Sequence, residues 1–299
     1  MRHQPVQIIE HGHGPPLVLI PGIQGRPEYL HPAIEALSRS FHVLTFPLCG
    51  ERASGAGFDP ARGFDNYAAQ VATVLDARHI ERAAICGVSF GGFAALRFAA
   101  THPQRTAAIV LVSTPPPAGR LRTRHRIYAR MPWLFGPLFL AEAPFRLRRE
   151  LAATFPRLDD RWRFARWQLR TLMIAPLSLS RMAERARLIS TLDLVDDCRR
   201  ISAPTLVVTG ERHLDYIVPV DGSSEYARLI PGARTAVIER TGHLGSITRP
   251  DDFSRLVADF LFRPARGAPP SLASAAGATL ERRRSCVAEA KWRTPDAAG

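Results

Sequence analysis

The sequence predicts an α/β fold: a mostly parallel central sheet with helices on both faces, carrying one inserted helical segment. Three observations support this. Short apolar runs of strand length recur along the chain, segments with helical periodicity separate them, and the stretch 119–200 has helical patterning without a convincing strand.

The run 17–20, Leu-Val-Leu-Ile, is bounded by Pro15-Pro16 and Pro21-Gly22 and reads as a strand buried on both faces. Similar runs follow at 41–46, 83–86, 107–112, 205–209 and 235–239. The segment 6–9 is expected to form an antiparallel edge strand. Helical patterns fill 32–39, 66–78, 90–101, 223–229 and 251–262. Within the insertion, 161–172 and 179–189 look helical. From Arg263 onward, Pro, Ala, Gly and Arg dominate and periodicity fades, so 263–299 reads as a disordered basic tail, with a short helix conceivable at 285–292.

Composition narrows the class. The 299 residues are 46% hydrophobic and 22% charged, ordinary for a globular chain long enough to bury a large core. The net charge of +13 is carried almost wholly by arginine, Lys291 being the lone lysine. That bias fits GC-rich coding as well as a binding surface, and no nucleic-acid partner is expected, the Arg282-Arg-Arg284 run included. The four cysteines are scattered without metal-ligand or disulfide-scaffold spacing. No secretory signal or membrane span is predicted, so a cytoplasmic location is expected. His11-Gly-His-Gly14 reads as a glycine turn, and no metal or organic cofactor is expected.

The chemistry starts at 83–93, Ala-Ala-Ile-Cys-Gly-Val-Ser-Phe-Gly-Gly-Phe, which sets G-x-S-x-G between a strand and a helix. A tight turn there lifts Ser89 off the sheet in a strained conformation. Side chains at Gly87 and Gly91 would collide across such a turn. Phe90 then opens the helix with a free N–H aimed where an oxyanion forms. This motif in this setting resembles the α/β-hydrolase family over about Val6 to Leu261. The resemblance implies a hydrolase core at 1–118 and 201–262, a cap or lid at 119–200, and a Ser–acid–His order along the chain.

Two further loops fit that order. Asp215 lies in D-x-x-V-P after the run 205–209, resembling the family's acid loop; counted from Gly210, the family's usual spacing falls on His213 instead, and Glu211 and Asp221 compete. His243 lies in Thr241-Gly-His-Leu-Gly245, followed by Pro250 and the amphipathic run 251–262, which resembles the family's histidine loop. Ser89, Asp215 and His243 are therefore the expected triad. A second oxyanion donor is expected from Pro21-Gly22-Ile23-Gln24-Gly25, at Ile23 or else Gln24; the family commonly has His-Gly there, and this chain departs from it.

The insertion places Arg120, Arg122, Arg124, Arg126 and Arg130 before an apolar run, 131–140, with Arg146, Arg148 and Arg149 after it. Two readings stand: a helical cap with solvated arginines, or an acyl pocket with an anionic head group, carrier or lipid surface received by the arginines. Gln24, Trp133, Phe135 and Leu244 are the expected pocket residues. The function expected is hydrolysis of a carboxylic ester or thioester with a hydrophobic acyl part. Acyl transfer, peroxyacid formation or C–C bond hydrolysis would use the same triad. A ligand-binding receptor with little turnover, and membrane-surface attachment through the insertion, are the rivals from other classes.

Overall fold

The computed structural model describes residues 6–119 and 123–262. Seven strands form one sheet: β1 (Ile9–His11), β2 (Pro16–Ile20), β3 (His42–Thr45), β4 (Ala83–Val88), β5 (Thr106–Val112), β6 (Thr205–Thr209) and β7 (Arg234–Val237). Their spatial order is β1-β3-β2-β4-β5-β6-β7, with β1 antiparallel to β3 and every other neighbouring pair parallel. The antiparallel edge strand exists, but it is Ile9–His11 and not 6–9. Its pairing of Ile9 with Thr45 and His11 with Val43 decides the register, and Glu10 meets His42 at 3.0 Å on the rim.

Successive residues of β2 point to opposite faces. Val18 and Ile20 join one hydrophobic layer, while Leu17 and Leu19 join the other. The first layer is covered by α2 (Asp65–Ala77) and α3 (Phe90–Thr101). The second is covered by α1 (His31–Leu37) and by the last helix, Pro250–Phe262. A strand buried on both faces has no room for polar alternation, which is why these runs are continuously apolar.

Between β5 and β6 the described residues make six helices: α4 (Thr123–Arg130), α5 (Pro132–Ala141), α6 (Ala143–Thr154), α7 (Leu158–Ile174), α8 (Leu179–Ser190) and α9 (Val195–Arg200). The excursion begins and ends at one neck. Ala118 bridges Asp193, Gly119 N–H donates to the Leu192 carbonyl at 3.0 Å, and Leu194 N–H donates to the Pro117 carbonyl at 3.0 Å. After β6 come α10 (Val220–Leu229), α11 (Gly245–Thr248) and α12 (Pro250–Phe262). Gly12 and Gly14 both adopt positive φ (+74 and +129) in the turn joining β1 to β2, as the turn reading of that histidine–glycine run requires. The tail expected beyond Arg263 lies outside the described residues. Among the described residues, no helix is long and apolar enough to cross a membrane.

Candidate active site

Parallel strands deliver their loops to one edge of the sheet, and Ser89, Asp215 and His243 follow β4, β6 and β7 there. Ser89 caps α3 with φ 52° and ψ −116°, a conformation a non-glycine residue adopts only under strain. Its N–H is tied to the Val112 carbonyl at 2.8 Å. The turn is enforced sterically: a Cβ on Gly87 would lie 2.3 Å from the Gly91 carbonyl oxygen, and one on Gly91 would lie 2.4 Å from that of Ile20. Phe90 is wedged among Phe64, Tyr67 and Phe93 at ring separations of 5.2, 5.2 and 6.2 Å, which anchors the first turn of α3.

The acid and histidine loops meet through two glycines. A Cβ on Gly210 would lie 2.3 Å from the Gly242 carbonyl oxygen, and one on Gly242 would lie 2.5 Å from that of Leu214. Asp215 Oδ1 accepts from Ile217 N–H at 3.0 Å and Val218 N–H at 2.8 Å, which leaves Oδ2 facing His243 Nδ1 at 3.4 Å. The Asp215 side chain is buried and that of His243 is mostly so, and the imidazole stands off the line of a hydrogen bond. Burial disfavours the charged imidazole, but the carboxylates of Asp215 and Glu150 outweigh it and hold the His243 pKa above its ordinary value.

The competing acids are engaged elsewhere. Glu211 accepts from Arg240 N–H at 2.7 Å, and Asp221 pairs with Arg212 in solvent. His213 is exposed and sits 3.5 Å from Glu211. Among the described residues the thiols are poor nucleophiles: burial pushes Cys49 and Cys198 up to about 12 and Cys86 higher still.

Ser89 opens onto a cavity of about 270 Å³ whose walls are mostly apolar. Ile23 and Phe90 line it near the serine, Ile217 and Val218 bring in the acid loop, and Tyr128, Arg146, Leu179 and Met182 come from the insertion. Four expected pocket residues fall outside this wall. Trp133 is 74% exposed, because α5 is apolar all round and has a solvent side. Phe135 stacks on Tyr128 at 5.9 Å and supports the wall from behind. Gln24 turns its amide towards Gly22, and Leu244 packs into the core beneath the histidine loop.

Two buried residues of the insertion escaped the sequence reading. Arg185 of α8 is 2% exposed; it donates to the Ile23 carbonyl at 3.0 Å and pairs with buried Glu51 at 2.7 Å, so it pins the loop that carries the expected oxyanion donor. Glu150 of α6 is 1% exposed and accepts from Leu244 N–H at 2.7 Å, directly beside the histidine. Their charge gave no signal, since arginines and acids recur throughout 119–200.

The sequence profile described as alpha/beta hydrolase fold matches residues 15–250. The chain is 28% identical to RutD of Pseudomonas savastanoi pv. phaseolicola, a protein named as a carbamate hydrolase, over 84% of this chain and 95% of that one. It is 32% identical to the 2-hydroxy-6-oxo-6-phenylhexa-2,4-dienoate hydrolase of Comamonas testosteroni, over 68% of this chain and 70% of that one. The crystal structure of the enol-lactonase from Burkholderia xenovorans LB400 superimposes with a TM-score of 0.69 at 23% identity, covering 86% of this chain and 96% of the other, a likeness of fold. A family profile spanning most of the chain, over a sheet of this order, settles its kinship: the protein belongs to the α/β-hydrolase fold family.

Proposed function

We propose that this protein is a serine hydrolase that cleaves a carboxylic ester or thioester with a hydrophobic acyl part. The observation that carries the reading is Ser89, held at φ 52° on the strand-to-helix turn and facing a largely apolar cavity. In the mechanism, His243 takes the Ser89 proton as Oγ attacks the carbonyl carbon. Asp215 keeps the imidazole oriented and stabilises its charged form. The N–H of Phe90, at the start of α3, and that of Ile23 receive the developing oxyanion, each donor being worth about 3 kcal/mol in the transition state. The leaving group departs with the proton from His243, and water deprotonated by the same imidazole releases the acid.

The insertion acts as the cap that shapes the acyl pocket. Among the described residues Arg146, which pairs with Glu142 at 3.2 Å, is the charged side chain in that wall, and the dienoate in the name of the Comamonas testosteroni relative is an anion. Both observations favour an acyl part that itself carries a negative group.

A fluorophosphonate probe tests the assignment: labelling of the wild-type protein that disappears in Ser89→Ala is expected, and absence of labelling overturns it. The pH dependence has a definite sign. His243 must be neutral to accept a proton, and its pKa lies above the ordinary imidazole value of about 6.5. Ester turnover therefore rises with pH through a midpoint above that value.

A further inference from the structure

One helix of the insertion touches both loops that carry the acid–base pair. Helix α6 presents Glu150 to the histidine loop, where its Oε1 accepts from Leu244 N–H at 2.7 Å and the Gly242 N–H turns towards the same carboxylate. One turn on, Thr154 Oγ1 donates to the Arg240 carbonyl at 2.8 Å, and the Arg240 guanidinium returns two bonds to the Ala153 carbonyl at 3.1 and 2.9 Å. On the other side, Arg149 reaches the Tyr216 hydroxyl, next to Asp215, and stacks over its ring at 5.5 Å. Glu150 is thus a carboxylate from outside the hydrolase core, almost fully buried and bonded across residues 242–244. Burying an acid is costly, and a neutral side chain of similar shape would fill the space without that cost. The burial makes physical sense if the charge has a recipient, and the adjoining group able to become positive is the His243 imidazole.

We infer that Glu150 is a positioning residue for His243: its carboxylate fixes the 242–244 turn and adds a second negative charge near the imidazole, so that the insertion contributes to the strength of the base. The inference rests on the reading of His243 as the base. Asp215 faces the ring from the acid loop, Glu150 on α6 binds the backbone beside it at Leu244 N–H, and Arg149, Arg240 and Glu211 engage the outer sides of these loops. During acyl transfer the ring passes from neutral to cationic and back. A second fixed anion nearby lowers the energy of the cationic state without itself moving a proton. Burial raises the Glu150 carboxyl pKa, and the Gly242 and Leu244 N–H groups and His243 oppose that rise, so the acid and the ring are coupled groups.

The test uses the full chain with Glu150→Gln and Glu150→Asp. Gln keeps an oxygen for Leu244 N–H and removes the charge; Asp keeps the charge and draws it away from that N–H. For Glu150→Gln, two changes are expected. The acid limb of turnover of a short-chain nitrophenyl ester moves down by about one pH unit, and kcat falls about tenfold with KM nearly unchanged. For Glu150→Asp, kcat falls while the limb stays near its wild-type position. Proton NMR titration of His243, assigned with His243→Gln, reads the same shift without turnover. If no ester is cleaved and no probe binds, the functional reading fails, yet the NMR shift still reports on Glu150. If Glu150→Gln folds and both the pH limb and the His243 titration superimpose on wild type, the inference is overturned. Should Glu150→Gln not fold, an Asp variant whose limb drops as far as that of an unperturbed imidazole overturns it equally.

Discussion

The sheet and the insertion differ in how much of their apolar surface is buried and in how many polar anchors they use. In the sheet, β2, β4 and β6 are walled by apolar side chains on both faces, and each helix against them turns its apolar stripe inward. Helix α7 behaves otherwise. Phe164 and Trp167 reach down to the core, yet Leu158, Trp162, Leu169 and Met173, spaced by four, seven and four residues, lie along the opposite face in solvent, with Trp162 69% and Met173 77% exposed. The insertion meets the core through apolar residues such as Ile189, Leu194 and Cys198 and also through polar anchors: Arg185 to Glu51 and Ile23, Glu150 to Leu244, Thr154 to Arg240, and Tyr29 Oη to the Ala175 carbonyl at 2.8 Å. Burial defines the sheet, and directed bonds add to apolar packing where the insertion lies over the loops of Asp215 and His243.

Substitutions at chosen points press on that contrast. The largest effect is expected at Arg185→Met, which leaves the Glu51 carboxylate buried without its cation and costs about 3–5 kcal/mol, measured by denaturant melting. Adding Glu51→Leu removes the stranded charge and recovers most of the loss. If Arg185→Met melts like wild type, the polar anchors are not what holds the insertion. A smaller cost is expected within the sheet edge at Gly87→Ala, whose Cβ meets backbone at 2.3 Å: about 1–3 kcal/mol of stability, with probe labelling of Ser89 reduced because the turn must open. The least effect belongs to Trp162→Gln combined with Met173→Gln on the outer face of α7, expected within about 0.5 kcal/mol of wild type. A loss of several kcal/mol there would mean that this face is covered in solution.

The contrast also explains what the sequence made legible. The β-runs at 17–20, 83–86 and 205–209 are visible because strands buried on both faces leave uninterrupted apolar stretches. The edge strand was placed three residues early because Val6, Ile8 and Ile9 carry the apolar signal, whereas the paired residues Glu10 and His11 are polar and rim-facing. Ser89 and His243 stand out through glycines whose need is steric and local. Counting from Gly210 leaves Asp215 ambiguous, whereas counting from Val218 singles it out, and the Val218 N–H binds its carboxylate. Trp133 looked like a pocket wall because an apolar run does not say which side of its helix meets solvent. Glu150 and Arg185 were invisible for the converse reason: only their tertiary neighbours distinguish them from the solvated charges around them.

The paired stems at 117–119 and 192–194 have an evolutionary consequence. A segment that departs and returns through one doorway can be exchanged between relatives as a cassette without disturbing the strand register beneath it. Substrate preference would travel with the exchanged piece. An incoming cassette would still have to present an acid where residue 150 lies and a cation where residue 185 lies, or bring a host whose own loops stand unaided. Such a graft would therefore divide relatives into compatible lineages by two positions, neither of them Ser89, Asp215 or His243.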